Sequence, residues 1–553
     1  MWVKILFIIL FFAATLYIGF YCRKKARNSS DFVLGGRSIG PWLSAFAYAT
    51  SYFSAVIFIG YAGSFGWKFG VSAFWIGIGN ALIGSLLAWK VLGKKTRIMT
   101  QHLGSSTMPD FFQKRFNSKA LKIAAAIIIF VFLVPYTAAL YNGLSFLFQT
   151  AFSSSVPYWV WVLIISIITG VYVIIGGLMS TAINSFIQGI IMLIGIILVV
   201  IFALNLNGGF MESFETLATT KGWQFASLFG PDPVHLLFVV LLTSLGCWGL
   251  PQMVGKFYSI KNEKQIGKGA LISTIFALVV AGGCYFIGGF AQIFNATSPK
   301  TVIPEMIAQL PTVIIAIVLV LVLAASMSTL SGLVHTSAAT VTFDLLDVNK
   351  KLPEKKKITF LRIFVLVFIV VSAGLAIFQV YGPEKYTKDI ASLLGISWGA
   401  ISGAFIGPFF YGLYWKKTTK AAVWTSFIVG IFLAVLSLTL SLTLTDAGRA
   451  NVQWRVNGLL FFDLADSIYM GVLAMVLSLI IVPVVSLLTK KPENVEDIFV
   501  CYNKSNQIAE DPFVEKVSVN DEKINTGIST EELPHVLETE EHETKDSLNE
   551  TIE

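Results

Sequence analysis

Apolar runs of about 20 residues recur along the chain, each long enough to cross a ~30 Å hydrocarbon layer as a helix. Thirteen spans are predicted, at 3–22, 41–65, 70–92, 121–149, 157–176, 181–205, 233–254, 269–295, 311–342, 359–380, 388–414, 420–445 and 461–488. Lipid offers no hydrogen bonds to a backbone, so a spanning segment of this kind must be helical, and the expected fold class is an all-α membrane protein. Charged residues make up 13% of the chain, against roughly 25% in soluble domains, and the mean hydropathy is +0.75. The surface is therefore built for lipid.

The first run, Val3 to Cys22, is long for a signal-peptide core and has no small-residue cleavage site after it. It is followed by Arg23, Lys24, Lys25 and Arg27, which marks a retained helix with a cytoplasmic C-terminal end. The other basic clusters fall in alternate loops: 93–120, 255–268, 343–358 and 415–420. The intervening loops hold only scattered Lys and Arg. The expectation is a multi-pass protein of the cell membrane with the N-terminus outside and the C-terminus in the cytoplasm. The net charge of +8 hides a split. From Lys490 onward there are 6 Lys and Arg against 17 Asp and Glu, a net of −11, so the rest carries +19. Segment 489–553 is read as a disordered acidic cytoplasmic tail. The basic body needs no nucleic acid to explain it, because cytoplasmic loops collect Lys and Arg. The cysteines Cys22, Cys247, Cys284 and Cys501 form no CxxC pair, and no cofactor is implied.

Two spans carry hydroxyls and glycines at mid-depth. Thr50-Ser51-Tyr52-Phe53-Ser54 lies in the second, followed by Gly60, Gly63 and Gly66. Ala324-Ala325-Ser326-Met327-Ser328-Thr329-Leu330-Ser331-Gly332 lies in the ninth. Such residues line ordinary helix–helix contacts. Interrupted segments in both halves of a chain also point to a transport site, and both segments are expected to be broken. Intramembrane carboxylates are nearly absent. Asp344 and Asp347 lie at the cytoplasmic end of the ninth span, Asp463 and Asp466 near one end of the thirteenth, and His335 is the one histidine away from the very start of a span. Proton relays usually need such groups. A hard cation needs only oxygens, which freed carbonyls and hydroxyls supply. The chemistry on offer favours Na⁺ over H⁺, and no nucleophile–base pair suggests an enzyme.

Several motifs resemble one family, the sodium:solute symporters. Phe32-Val33-Leu34-Gly35-Gly36-Arg37 is similar to its LGGR motif, and Ser54 to Gly60 to its first core helix. Thr107-Met108-Pro109-Asp110-Phe111-Phe112 with Arg115-Phe116 resembles its cytoplasmic loop. Gly176-Gly177-Leu178 and Ile187-Gln188-Gly189 resemble its bend between the fifth and sixth spans. Trp248-Gly249-Leu250-Pro251-Gln252 is similar to a segment of proline symporters, and Ala324 to Leu330 to the ion-binding helix.

The resemblance implies a leucine-transporter-type core of two inverted five-helix repeats, 41–205 and 233–414. Before them come 1–40 (first helix and loop), between them an outer loop at 206–232, and after them two peripheral helices at 415–488. It implies Na⁺-coupled symport of a small organic solute by alternating access. Na⁺ would be held by Thr50, Phe53, Ala325, Ser328 and Thr329. The solute would sit near Ser54, Ile57, Asn80, Tyr136, Ser244 and Trp248. Ser185, preceded by Asn184, stands where many members have Asp, and Gly332 where members with a second Na⁺ site have Ser. One Na⁺ per cycle is therefore expected. Apolar Ile57 and Cys247 argue against a sugar, whose hydroxyls need partners once desolvated. An amino acid such as proline, pantothenate or a monocarboxylate fits better. The rival readings are a proton-coupled carrier and a non-transporting sensor or scaffold of the same fold.

Overall fold

The computed structural model describes residues 2–22, 33–54, 56–152, 156–294, 298–299, 301–349, 351–383, 390–456, 459–490, 492 and 495–510. The basic cluster at 23–27 and the tail from 511 onward lie outside the described residues. Among those described, 12 helical stretches are long and apolar enough to cross a membrane. The second, Pro41–His102, has 62 residues, which at 1.5 Å each would reach ~90 Å. It holds the expected second and third spans. The chain turns between them at Gly70, whose φ of +66° suits glycine and whose Cα a side chain would drive into the Phe225 carbonyl. The stretches thus supply all thirteen expected crossings.

Burial sorts the spans into centre and periphery. In the ninth (Thr312–Leu346) and eleventh (Ser392–Tyr414), 89% and 94% of the most apolar window is buried, against 22% in the first. The ninth is walled by the first, fourth, sixth and tenth spans. The eleventh packs on the fourth, twelfth and thirteenth. Close approach at the second and eighth spans depends on two facing glycines. A Cβ on Gly66 would sit 1.8 Å from the Gly288 carbonyl oxygen, so backbone meets backbone there, as small residues allow in membrane bundles.

Four expectations need correction. The ninth segment is not broken: Thr312–Thr340 is continuous α-helix, followed by a π-helical turn at Val341–Leu346. Its hydroxyls bond across to neighbours without opening their own helix. Second, no loop separates the fifth and sixth spans: helical structure runs over Tyr158–Asn205, through Gly176-Gly177. Third, the last span starts at Ser467, not at 461. The residues before it form a hairpin, β1 (Gln453–Val456) antiparallel to β2 (Leu459–Asp463). Asp466 caps the helix through the Ile468 N–H. Fourth, the region from 489 contains a helix, Val495–Glu510, so it is not disordered throughout.

The cytoplasm-assigned ends are tied together by charge. Arg37, in the LGGR motif, donates to the carbonyls of Tyr258 (2.9 Å), Ser105 (2.7 Å) and Thr100 (3.3 Å), joining three loops. Buried Lys122 pairs with Asp344 Oδ1 at 3.2 Å and Asp110 Oδ1 at 3.4 Å. It clamps the fourth span, the ninth span and the helix Met108–Phe116. Removing one member of such a group strands charge in a low-dielectric site. Lys122→Met should therefore destabilise the purified protein by roughly 3–5 kcal/mol, read as a lower thermal unfolding midpoint in detergent, whereas Lys119→Met at the exposed helix start should not.

Candidate functional site

The second span breaks where its hydroxyls cluster. Thr50 Oγ1 and Ser51 Oγ donate back to the carbonyls of Phe46 (2.8 Å) and Ala47 (2.6 Å). Such back-bonding loosens a helix. The α-helix Pro41–Tyr52 ends there, Phe53 is extended (φ −94°, ψ 127°), and a π-helix takes over at Val56–Ala62. The break leaves carbonyls without helical partners inside the bundle, where each unsatisfied group is costly.

The continuous ninth span meets them. Ser328 Oγ lies 2.9 Å from the Thr50 carbonyl oxygen and 2.8 Å from that of Ala325. Thr329 Oγ1 is 3.2 Å from the carbonyl oxygens of Thr50, Phe53 and Ala325 alike. The five residues named for Na⁺ are thus brought together, all buried. Ala325 keeps its helical N–H donor, so the two hydroxyl protons serve the freed Thr50 and Phe53 carbonyls, and the five oxygens remain rich in lone pairs. That donor set, neutral oxygens only, suits a hard monovalent cation. Gly332 lies one turn further along, facing Ser51 Oγ at 3.7 Å from an added Cβ. Ser185 is buried and Asn184 donates weakly to the Thr15 carbonyl at 3.5 Å.

A second break was not foreseen. The seventh span is α-helical over Pro233–Leu245, tightens to a 3₁₀ turn at Gly246–Trp248, is extended at Leu250 (φ −81°, ψ 120°) and resumes as Pro251–Tyr258. Its freed carbonyls are also met from outside: Thr243 by the Tyr52 hydroxyl (2.9 Å), Gly246 by Ser402 Oγ. The signal was present as Gly249 before Pro251, since Pro starts a helix well and cannot continue one.

The expected solute residues separate into two groups. Ser244 Oγ donates to Asn80 Oδ1 at 3.2 Å, joining the seventh and third spans. Tyr136 lies beside Ser54 and edge-on to Trp398, with ring centroids 5.9 Å apart. Ile57 is buried just past the break, and its N–H donates to the Ser54 carbonyl at 3.0 Å. Trp248 commits its indole N–H to the Ile83 carbonyl at 3.1 Å. The sequence missed Tyr285 and Trp398. Tyr285 lies beside Asn80, and Trp398 beside Tyr136, so both aromatics flank the residues expected to hold the solute. In the sequence both aromatics look like ordinary packing beside small residues.

A model of the sodium:solute symporter family matches residues 32–430. The chain belongs to that family. It is a multi-pass membrane transporter that couples movement of a small organic solute to Na⁺. Sodium/proline symporter 2 of Staphylococcus saprophyticus is 30% identical over 452 residues, 79% of this chain and 86% of its own. A sodium/proline symporter of Staphylococcus aureus is 29% identical over 510 residues, 89% of this chain and 94% of its own. A solved substrate-bound, outward-open structure of a Na⁺-coupled sialic acid symporter superposes with a TM-score of 0.70, covering 89% of this chain and 98% of that one at 16% identity. The fold of this symporter is accordingly leucine-transporter-type.

The hydroxyl–carbonyl contacts link two spans even without an ion. Thr329→Val keeps the shape and removes the donor to the Phe53 carbonyl. It should lower stability by about 1–2 kcal/mol in Na⁺-free buffer, measured as a drop in the thermal unfolding midpoint.

Proposed function

We propose that this symporter takes up a small carboxylate-bearing solute, an amino acid of the proline type before pantothenate or a monocarboxylate, with one Na⁺ per cycle. The observation that carries the ion's part is the convergence of Thr50, Phe53 and Ala325 carbonyls on the Ser328 and Thr329 hydroxyls. Na⁺ binding turns the two hydroxyl protons outward, so all five oxygens face the ion. It thereby fixes the broken second span against the ninth. Ser54 follows directly on Phe53, so fixing one orders the other, and with it the solute wall at Tyr136, Asn80 and Ser244. Ordering done by the first ligand need not be repeated for the second, which is positive and reciprocal coupling.

The relatives named as sodium/proline symporters support the solute class, as do apolar Ile57 and Cys247. The absence of a carboxylate at Ser185 and of a hydroxyl at Gly332 supports the single ion. With the N-terminus outside and the C-terminus in the cytoplasm, as the basic loops favour, the membrane voltage adds ~2.3 kcal/mol per charge per 100 mV to uptake.

Sealed proteoliposomes test this directly with L-proline, pantothenate and L-lactate as solutes. Uptake of one of them should follow an inward Na⁺ gradient and ignore a proton gradient. Ser328→Ala and Thr329→Ala should each raise the Na⁺ concentration for half-maximal uptake about tenfold, the equivalent of ~1.4 kcal/mol. An unchanged Na⁺ dependence in correctly folded protein removes those hydroxyls from the ion site. Ser185→Asp should raise the charge moved per solute if the missing carboxylate sets the stoichiometry.

A further inference from the structure

Two lysines are buried among the described residues, Lys122 and Lys256. Lys122 holds two carboxylates. Lys256 has no hydrogen-bond or ion-pair partner among the described residues, although its side chain sits between the seventh span and the ninth. A buried ammonium without a counter-charge is costly. One turn before it on the same helix is Gln252, also buried, whose Oε1 and Nε2 both lack partners. Asp110 and Asp344 line an adjoining cavity, which shares Val33, Ser106 and Thr107 with this one, and are claimed by Lys122.

Gln252 and Lys256 line a cavity of about 60 Å³ together with Thr107, Gly332 and His335, several times what one water needs. His335, on the ninth span, stands on the same cavity wall as Val33 and Lys256. The position of this cavity matters. Gly332 is one helical turn from Ser328 and Thr329. Pro251-Gln252 is the first turn after the break in the seventh span. The cavity therefore lies directly beyond both the oxygen cluster and the second break, on the side of the Lys-rich loop 255–268. It stands between the oxygen cluster and that loop, where a solute released toward the loop would pass.

We infer that Lys256 and Gln252 form a carboxylate-binding subsite on the release route, where the acid group of the solute rests after leaving the ion cluster. The ammonium supplies the charge, and the Gln252 amide supplies a directional N–H donor. This inference rests on the proposal of a carboxylate-bearing solute and adds where its acid group is received. The shared chemistry is a small anion, and a free inorganic anion such as chloride is the other source.

Two measurements on the full-length protein test it. In the first, thermal unfolding of purified protein is compared in sodium acetate and sodium chloride at equal Na⁺. Acetate should raise the midpoint above chloride in the wild type, and the difference should vanish in Lys256→Gln but persist in Lys256→Arg. An equal response to both salts, or a difference that survives in Lys256→Gln, overturns the subsite. In the second, L-proline transport is measured in right-side-out and inside-out vesicles. Lys256→Gln should raise the KM at the face bearing loop 255–268 by about tenfold, the loss of one charge-assisted hydrogen bond. The KM at the opposite face and the half-saturating Na⁺ should stay unchanged. An equal loss at both faces would mean that Lys256 only supports the fold, and would sink the inference. If the wild type moves no proline, the solute assignment fails while the acetate comparison still decides the subsite.

Discussion

Hydrocarbon cannot hydrogen-bond to a peptide, and every irregular stretch of backbone in this molecule is shaped by that fact. Where the second span opens at Phe53, two carbonyls lose their helical donors. They survive at mid-bundle because Ser328 and Thr329 reach them from a neighbouring helix. Satisfying a broken backbone and building the proposed cation site are here one and the same arrangement. Two hydroxyl protons keep those two carbonyls from being orphaned, and the remaining lone pairs of the cluster stay free.

The asymmetry between the two segments of this cluster has mechanical sense. The ninth span is an unbroken helix at the centre of the bundle and offers rigid hydroxyls. The second span is interrupted and can be reset by whatever those hydroxyls hold. Its true counterpart is the seventh span, whose 3₁₀ turn and extended Leu250 repeat the interruption in the second half of the chain. The two breaks also touch, through Tyr52 and the Thr243 carbonyl. That contact joins the two breaks directly, with no intervening element.

Much of this was legible in the residues. Hydropathy gave the crossings, because length and apolarity alone decide whether a helix can span lipid. The hydroxyl run at Thr50–Ser54 gave the first break, and the Ser328-Thr329 pair gave its partner. The ninth segment was misjudged because hydroxyls inside a helix are ambiguous: they loosen their own backbone or bond across to another, and composition does not say which. The seventh-span break was overlooked although Pro251 announced it. Tyr285 and Trp398 could not be singled out at all, since whether a buried aromatic flanks Asn80 or Tyr136 is set by neighbours distant in sequence.

What the sequence determined by itself was the lipid-facing, all-helical class, the number of crossings, the charge asymmetry of the loops and the lack of intramembrane carboxylates at mid-depth. These follow from local composition, which fixes where each residue can sit relative to water. Only the tertiary structure decided which oxygens share a point, that Lys122 meets two carboxylates while Lys256 meets none among the described residues, and which of two hydroxyl-rich helices yields. Those outcomes depend on contacts between segments hundreds of residues apart, where the energy of one group is set by what another chain segment brings within about 3 Å of it.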